Sequence, residues 1–195
     1  MEKGEVKTIL ESPLLADKNG KWSYVNEQPD TSAYENAGDE ASHYLSPYIL
    51  IGDSTIKGEG WTFIRYETLN RLNIPADKII SAKYVFRNLF DAPKEATIGA
   101  YAVTNDWCSI NIRWFNRPTY DEKPISQVTV QKAADYFLDI TTLFREMTKN
   151  KGQKNSKYSV RNSFFIKSDS PNSNLIFPSG DGGLFSPYLE VVIAE

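Results

Sequence analysis

The chain has 195 residues, enough for one large domain or two small ones, and carries a net charge of −3 from 22 basic and 25 acidic residues. No basic stripe stands out, which excludes a nucleic-acid binder and a protein held on anionic lipid by charge. The single cysteine, Cys108, excludes an intrachain disulfide and a thiolate zinc site, and no stretch approaches the ~18 apolar residues of a membrane span.

The opening "MEKGEVKTIL" has no apolar run of signal-peptide length. From Asp17 to Ser46 the chain is polar, rich in Asn, Asp, Glu, Ser and Gly, and reads as a long excursion with Tyr24, Tyr34 and Tyr44 scattered through it. "YILIGD" (Tyr48 to Asp53) then predicts a strand ended by Gly-Asp. "WTFIRYE" (Trp61 to Glu67) alternates, with Ile64 and Tyr66 on one face and Phe63 and Arg65 on the other. "IISAKYVFR" (Ile79 to Arg87) places Ile80, Ala82, Tyr84 and Phe86 together. "TIGAYAV" (Thr97 to Val103) does the same for Ile98, Ala100 and Ala102. "QVTV" (Gln127 to Val130), "YFLDI" (Tyr136 to Ile140), "SFFIKS" (Ser163 to Ser168), "LIF" (Leu175 to Phe177) and "YLEVVI" (Tyr188 to Ile193) follow. A period of two, repeated at short spacing in a chain that is 13% aromatic, predicts antiparallel strands.

One helix is predicted in "DITTLFREMTKN", with Thr141 or Thr142 as the cap and Leu143, Phe144 and Met147 at helical spacing. The basic, polar "KNKGQKNSK" after it reads as a solvated loop. No internal repeat is visible and no linker splits the chain. The expected fold is therefore all-β: a jelly-roll-like antiparallel β-sandwich with one short helix, as one domain over residues 1–195.

Four segments carry a family resemblance: "SPYILIGDS" with "WTFIRYE"; "IPADKIISAKYVF"; "WCSINIRWFNRP"; and "FLDITTLFREM" followed by "SFFIKS" and "SPYLEVVI". In order and spacing, from about Thr8 to Ile193, the chain resembles the DNRLRE-type β-sandwich domain. That domain is related to the carbohydrate-binding modules of alginate-degrading enzymes and to disaggregatase-associated domains. Ser109 stands where the family often has Glu, and Arg113 where it usually has Thr. The resemblance implies a noncatalytic module of large exported bacterial proteins that binds polysaccharide or spaces other domains. Fold analogy alone does not fix which.

The densest stretch, Trp107 to Pro118, holds two of the four tryptophans and admits two readings. It is a stacking platform for a sugar ring, with Arg113 or Arg117 reaching an acidic group. Otherwise it is a structural lock, with Ile112 and Trp114 sharing a buried face. The burial tendency of large aromatics favours the lock, leaving Phe115, Asn116 and Arg117 beside it. The polar excursion offers other ligand-binding residues: Trp22, Tyr44 and Tyr48, among amides and carboxylates and outside any alternating apolar pattern. The same aromatics could instead plug an open end of the sandwich.

Catalysis finds no motif in the right context. His43 is the only histidine, its adjacency to Ser42 places no nucleophile against a base, and no pair of carboxylates is singled out. "GDGG" (Gly180 to Gly183) and "KSDSPNSN" hold oxygens that could face calcium, yet their residues have conformational reasons to sit in turns. No metal ligand or cofactor is assigned. The functional expectation is a noncatalytic polysaccharide-binding sandwich at the cell surface or outside the cell. The alternative is a spacer or decoration domain that contacts other protein subunits in a larger surface or particle-like complex. A polysaccharide-active enzyme ranks behind both.

Overall fold

The computed structural model describes residues 6–11, 31–34, 48–54, 58–65, 74–107, 112, 116–149, 163–170, 173–178 and 185–194, with backbone alone at 6–11, 31–34, 48–50, 52–54, 58–59, 65 and 174. Among them are β1 (Val6–Glu11), β2 (Thr31–Tyr34), β3 (Tyr48–Ser54), β4 (Gly58–Arg65), β5 (Ile79–Arg87) and β6 (Ala96–Ala102). The chain continues through β7 (Ser126–Val130), β8 (Asp135–Asp139), helix α1 (Thr141–Lys149), β9 (Ser163–Ser168), β10 (Asn174–Pro178) and β11 (Tyr188–Ala194).

All strand pairs are antiparallel. They form a four-stranded sheet, β1-β11-β5-β8, and a seven-stranded sheet, β10-β3-β4-β9-β6-β7, with β2 on β4. The fold is the expected all-β sandwich with one helix. Its main core lies between the sheets. Ile64, Ile98, Ala100, Phe164, Ile166, Leu175 and Phe177 come from the larger sheet, and Ala82, Tyr84, Phe86, Leu138, Leu189 and Val191 from the smaller one. Each large side chain buried there contributes about 1.5–3 kcal/mol. The alternating pattern of β5, β6 and β9 follows directly: every second residue points between the sheets.

Three features depart from the expected pattern. First, part of the polar excursion is a strand. Thr31–Tyr34 pairs with β4 from Thr31↔Phe63 to Tyr34↔Gly60. Second, Ile80 does not share the inward face of β5. The register against β11 passes from Val192↔Ser81 to Ile193↔Ile79, so Ile80 is the extra residue of a bulge. It is left 46% exposed while Ile79 takes the buried position. Third, neither threonine caps α1 with its hydroxyl. The Phe144 N–H donates to the Ile140 carbonyl (2.8 Å), which makes Ile140 the capping residue. The Asp139 carboxylate accepts the Thr141 N–H (2.9 Å). The Thr141 hydroxyl instead accepts the Ala82 N–H of β5 at 2.9 Å, tying the helix to the sheet. Arg145 completes that attachment by donating to the carbonyls of Ile79 and Ile80 at the bulge.

Candidate carbohydrate-binding site

The larger sheet is buried on both faces over β4, β9 and β6. Its outer face carries a second apolar cluster: Trp61, Phe63, Tyr101, Val103, Trp107, Ile112 and Phe165, with Tyr120 packed against it. The register sets Phe63 opposite Phe165 and Tyr101 opposite Phe165. Phe165 is therefore the middle ring. It stacks on Trp61 at 4.9 Å and on Tyr101 at 5.1 Å, both at 17°.

The connection from β6 to β7 closes over these rings. Val103 bridges Tyr120, Thr104 N–H donates to the Thr119 carbonyl (2.8 Å), and Thr119 N–H donates to Asn105 Oδ1 (2.7 Å). Tyr120 then meets Trp61 and Phe165 edge-on, at 5.1 and 5.0 Å. Trp107 is buried 5.7 Å from Phe63. Trp107 and Ile112 thus belong to the lock. Asn116 is exposed, and the half-buried Arg117 places its guanidinium 4.8 Å over the Trp61 ring. Cys108, Arg113, Trp114 and Phe115 lie outside the described residues.

Beside the rings sits a polar group organised around Gly99. The Tyr101 hydroxyl donates to Asp169 Oδ1 (2.6 Å), the Gln127 amide donates to Oδ2 (2.8 Å), and Lys167 Nζ is 3.3 Å from Oδ1. A Cβ on Gly99 would fall 2.7 Å from both Asp169 Oδ2 and the Tyr101 ring, so glycine is what allows the sheet and these side chains to close up. Both carboxylate oxygens are already engaged inside the fold. This patch holds the aromatic face together.

An open concavity lies where the β6–β7 connection returns past α1. The backbone of Asp121 donates to the Ala102 carbonyl (3.0 Å) and that of Ile125 to the Ala100 carbonyl (2.7 Å), which pins both ends of the 121–125 turn to β6. Helix α1 is held separately, by Leu143, Phe144 and Met147 in the core. Between turn and helix is a cleft of about 510 Å³. Ala102, Pro124, Ile125 and Leu143 supply apolar lining, and Asp121, Glu122, Lys123, Thr142 and Glu146 supply polar lining. The size falls in the ~300–1,000 Å³ range of small-molecule sites, and an apolar surface with a few polar groups is their usual chemistry. Carboxylates accept hydrogen bonds from hydroxyls, the ammonium donates, and aliphatic carbons receive the C–H face of a sugar ring.

The side chains of the ligand-binding residues expected from sequence all lie outside the described set. Trp22 and Tyr44 lie outside the described residues. Tyr48 opens β3 opposite Pro178, and its side chain is outside the described set. His43, "GDGG" and most of the post-helix loop are likewise outside it. Among the described residues no group of three or more His, Cys, Asp or Glu is placed to hold a metal ion, and no described helix is long and apolar enough to cross a membrane. The sequence signal for the cleft was present in "YDEKPIS", a charged turn with a proline between two strands. Its partner, α1, begins some twenty residues further on.

Compared with known families, residues 52–193 match the model of carbohydrate-binding module family 96. The match agrees with the expected resemblance at the level of a carbohydrate-binding module. It does not reach the narrower DNRLRE-type label. Comparison with curated proteins gave no match.

Proposed function

The chain belongs to carbohydrate-binding module family 96, and on that premise we propose that it is a noncatalytic module that binds polysaccharide on behalf of an exported or surface-attached bacterial protein. The observation that carries the choice of site is the cleft of about 510 Å³ between the 121–125 turn and α1. It combines aliphatic surface with carboxylates and an ammonium, the two kinds of contact a sugar offers. Trp22, Tyr44 and Tyr48 remain the proposed aromatic contribution, on the sequence argument alone. Loops carried by a rigid sandwich are where binding residues usually sit.

The whole chain, residues 1–195, is proposed as one domain. In support, β1 and β2 precede the family match yet are hydrogen-bonded to β11 and β4 inside it. Affinity for a single short oligosaccharide is expected to be weak, because a few contacts bury little area against the cost of association.

The test is retention of the purified chain in affinity gels containing soluble polysaccharides, for the wild type, Thr142→Trp and the triple variant Trp22→Ala/Tyr44→Ala/Tyr48→Ala. Thr142 is exposed on the first turn of α1 at the cleft, so a tryptophan there fills the opening without disturbing the core. Loss of retention in Thr142→Trp with an unchanged melting temperature supports the cleft. Loss only in the folded triple variant moves the site to the excursion. Absence of wild-type retention in every gel leaves the spacer or decoration role in a larger complex as the better account.

A further inference from the structure

The outer face of the smaller sheet is ordered in rows that the binding cleft does not explain. On β5, β8 and β11 the inward residues are Tyr84, Leu138 and Leu189, so the intervening residues face out. Register places Phe137 opposite Val85, and Val85 opposite Tyr188. These three residues form one row running across three neighbouring strands, with about 4.8 Å between strands. Phe137 is 52% exposed, and Val85 and Tyr188 are partly exposed.

Charged rows flank the apolar one on both sides. Toward one end Arg87 pairs with Asp135 (3.5 Å), and its guanidinium lies 4.8 Å over the Phe185 ring, itself 49% exposed. Toward the other end Lys83 pairs with Glu190 (3.5 Å) and sits 4.9 Å from the centre of the Phe137 ring.

We propose that this face is a second carbohydrate surface, on which one polysaccharide chain lies flat across β8, β5 and β11 over Phe137, Val85 and Tyr188. The proposal rests on the reading of the chain as a carbohydrate-binding module but uses the outer face of the smaller sheet, where Phe137, Val85 and Tyr188 are not among the residues lining the cleft. The two sides of a sugar ring match the rows: C–H groups over the apolar row, hydroxyls to the ion pairs on either side. Burial, with Glu190 and Asp135 nearby, pushes the Tyr188 phenol above its ordinary value, so it stays protonated as donor and acceptor at neutral pH.

The charges also decide between occupants. They are already paired with each other, so a protein laid on this face would have to desolvate them without supplying a counter-charge, and three of the four, Lys83, Glu190 and Asp135, are of types depleted at protein interfaces. Hydroxyls can hydrogen-bond to the ion pairs without breaking them. A module with two surfaces on one rigid body holds a long chain more tightly than a short one, because the second contact is intramolecular.

The experiment compares wild type, Phe137→Ala/Tyr188→Ala and Phe137→Tyr, using affinity gels of a neutral glucan, a galactan and a polyuronate. Each is also titrated calorimetrically with a short oligosaccharide of whichever polymer retains the wild type. Melting curves check that each variant is folded. The expected result is at least a tenfold loss of polymer retention in the double variant, unchanged oligosaccharide affinity, and wild-type retention in Phe137→Tyr. Equal retention of wild type and double variant overturns the second surface and leaves the module reading standing. A wild type retained by no gel overturns both. If the wild type elutes as a dimer in size-exclusion chromatography and the double variant as a monomer, the face is an interface between copies of this chain and the proposal is wrong.

Discussion

Tyr101 and Asp169 meet across the space that Gly99 leaves empty: the phenol donates a 2.6 Å hydrogen bond to a carboxylate that also takes the Gln127 amide and lies beside Lys167. The Tyr101 ring is held on its other side by Phe165, so it cannot swing away. Gly99→Ala is expected to lower stability by about 1–3 kcal/mol, the usual cost of forcing a methyl into a filled site. Urea unfolding of the variant measures it, and an unchanged midpoint would mean that the ring and carboxylate yield freely.

Phe165 is the hub of the outer cluster, in ring contact with Trp61, Phe63, Tyr101 and Tyr120 and fully buried. Phe165→Ala should cost about 3–5 kcal/mol, in the range for a buried aromatic. Thermal or chemical denaturation reads this directly. A loss under about 1 kcal/mol would place the cluster outside the cooperative core.

Arg145 attaches α1 to the bulge of β5 through the carbonyls of Ile79 and Ile80. Arg145→Ala is expected to destabilise by about 1–2 kcal/mol, as for a charged hydrogen-bond donor whose partners can rehydrate. Arg145→Lys should recover only part of it, since an ammonium lacks the planar fork that reaches both carbonyls. Full recovery by lysine would show that charge alone matters.

The Asp91–Lys132 pair (2.9 Å) gives a pH signature. The hydrogen bond from Lys132, then that from the Ala133 N–H, hold the Asp91 carboxyl below its ordinary value; the same bond to Asp91 raises the Lys132 ammonium. A depressed acid stabilises above its unfolded-state value, and that contribution is lost as pH falls through the folded value. A raised amine stabilises below its unfolded-state value, and that contribution is lost as pH rises through the folded one. Both groups are exposed, so salt should screen the effect. An NMR titration of Asp91 should give a midpoint below that of an unpaired Asp, moving back toward it at high salt. A midpoint insensitive to Lys132→Ala would refute the pairing.

The strands were legible because their apolar residues alternate, and the elements from "YILIGD" to "YLEVVI" fall where that period put them. Burial of Trp107 and Ile112 was legible too, from the crowding of large apolar side chains before an Asn-Arg-Pro stop. β2 was not: "TSAY" is four residues long and lies in polar sequence, and it is a strand only because the edge of β4 is open to it. The exposure of Ile80 depends on a bulge against β11, which no local pattern encodes. The cleft needs two segments that meet only in the folded chain, the 121–125 turn and the first turns of α1. The tryptophan-rich stretch drew attention as a platform, yet Trp107 within it is buried against Phe63.

The most direct measurement of the central claim is binding of the purified chain to an array of soluble polysaccharides, read beside the Thr142→Trp variant. The wild type is expected to bind at least one polysaccharide, and Thr142→Trp, with the same melting temperature, to bind it at least tenfold more weakly. A wild type that binds no polysaccharide on the array would contradict the claim.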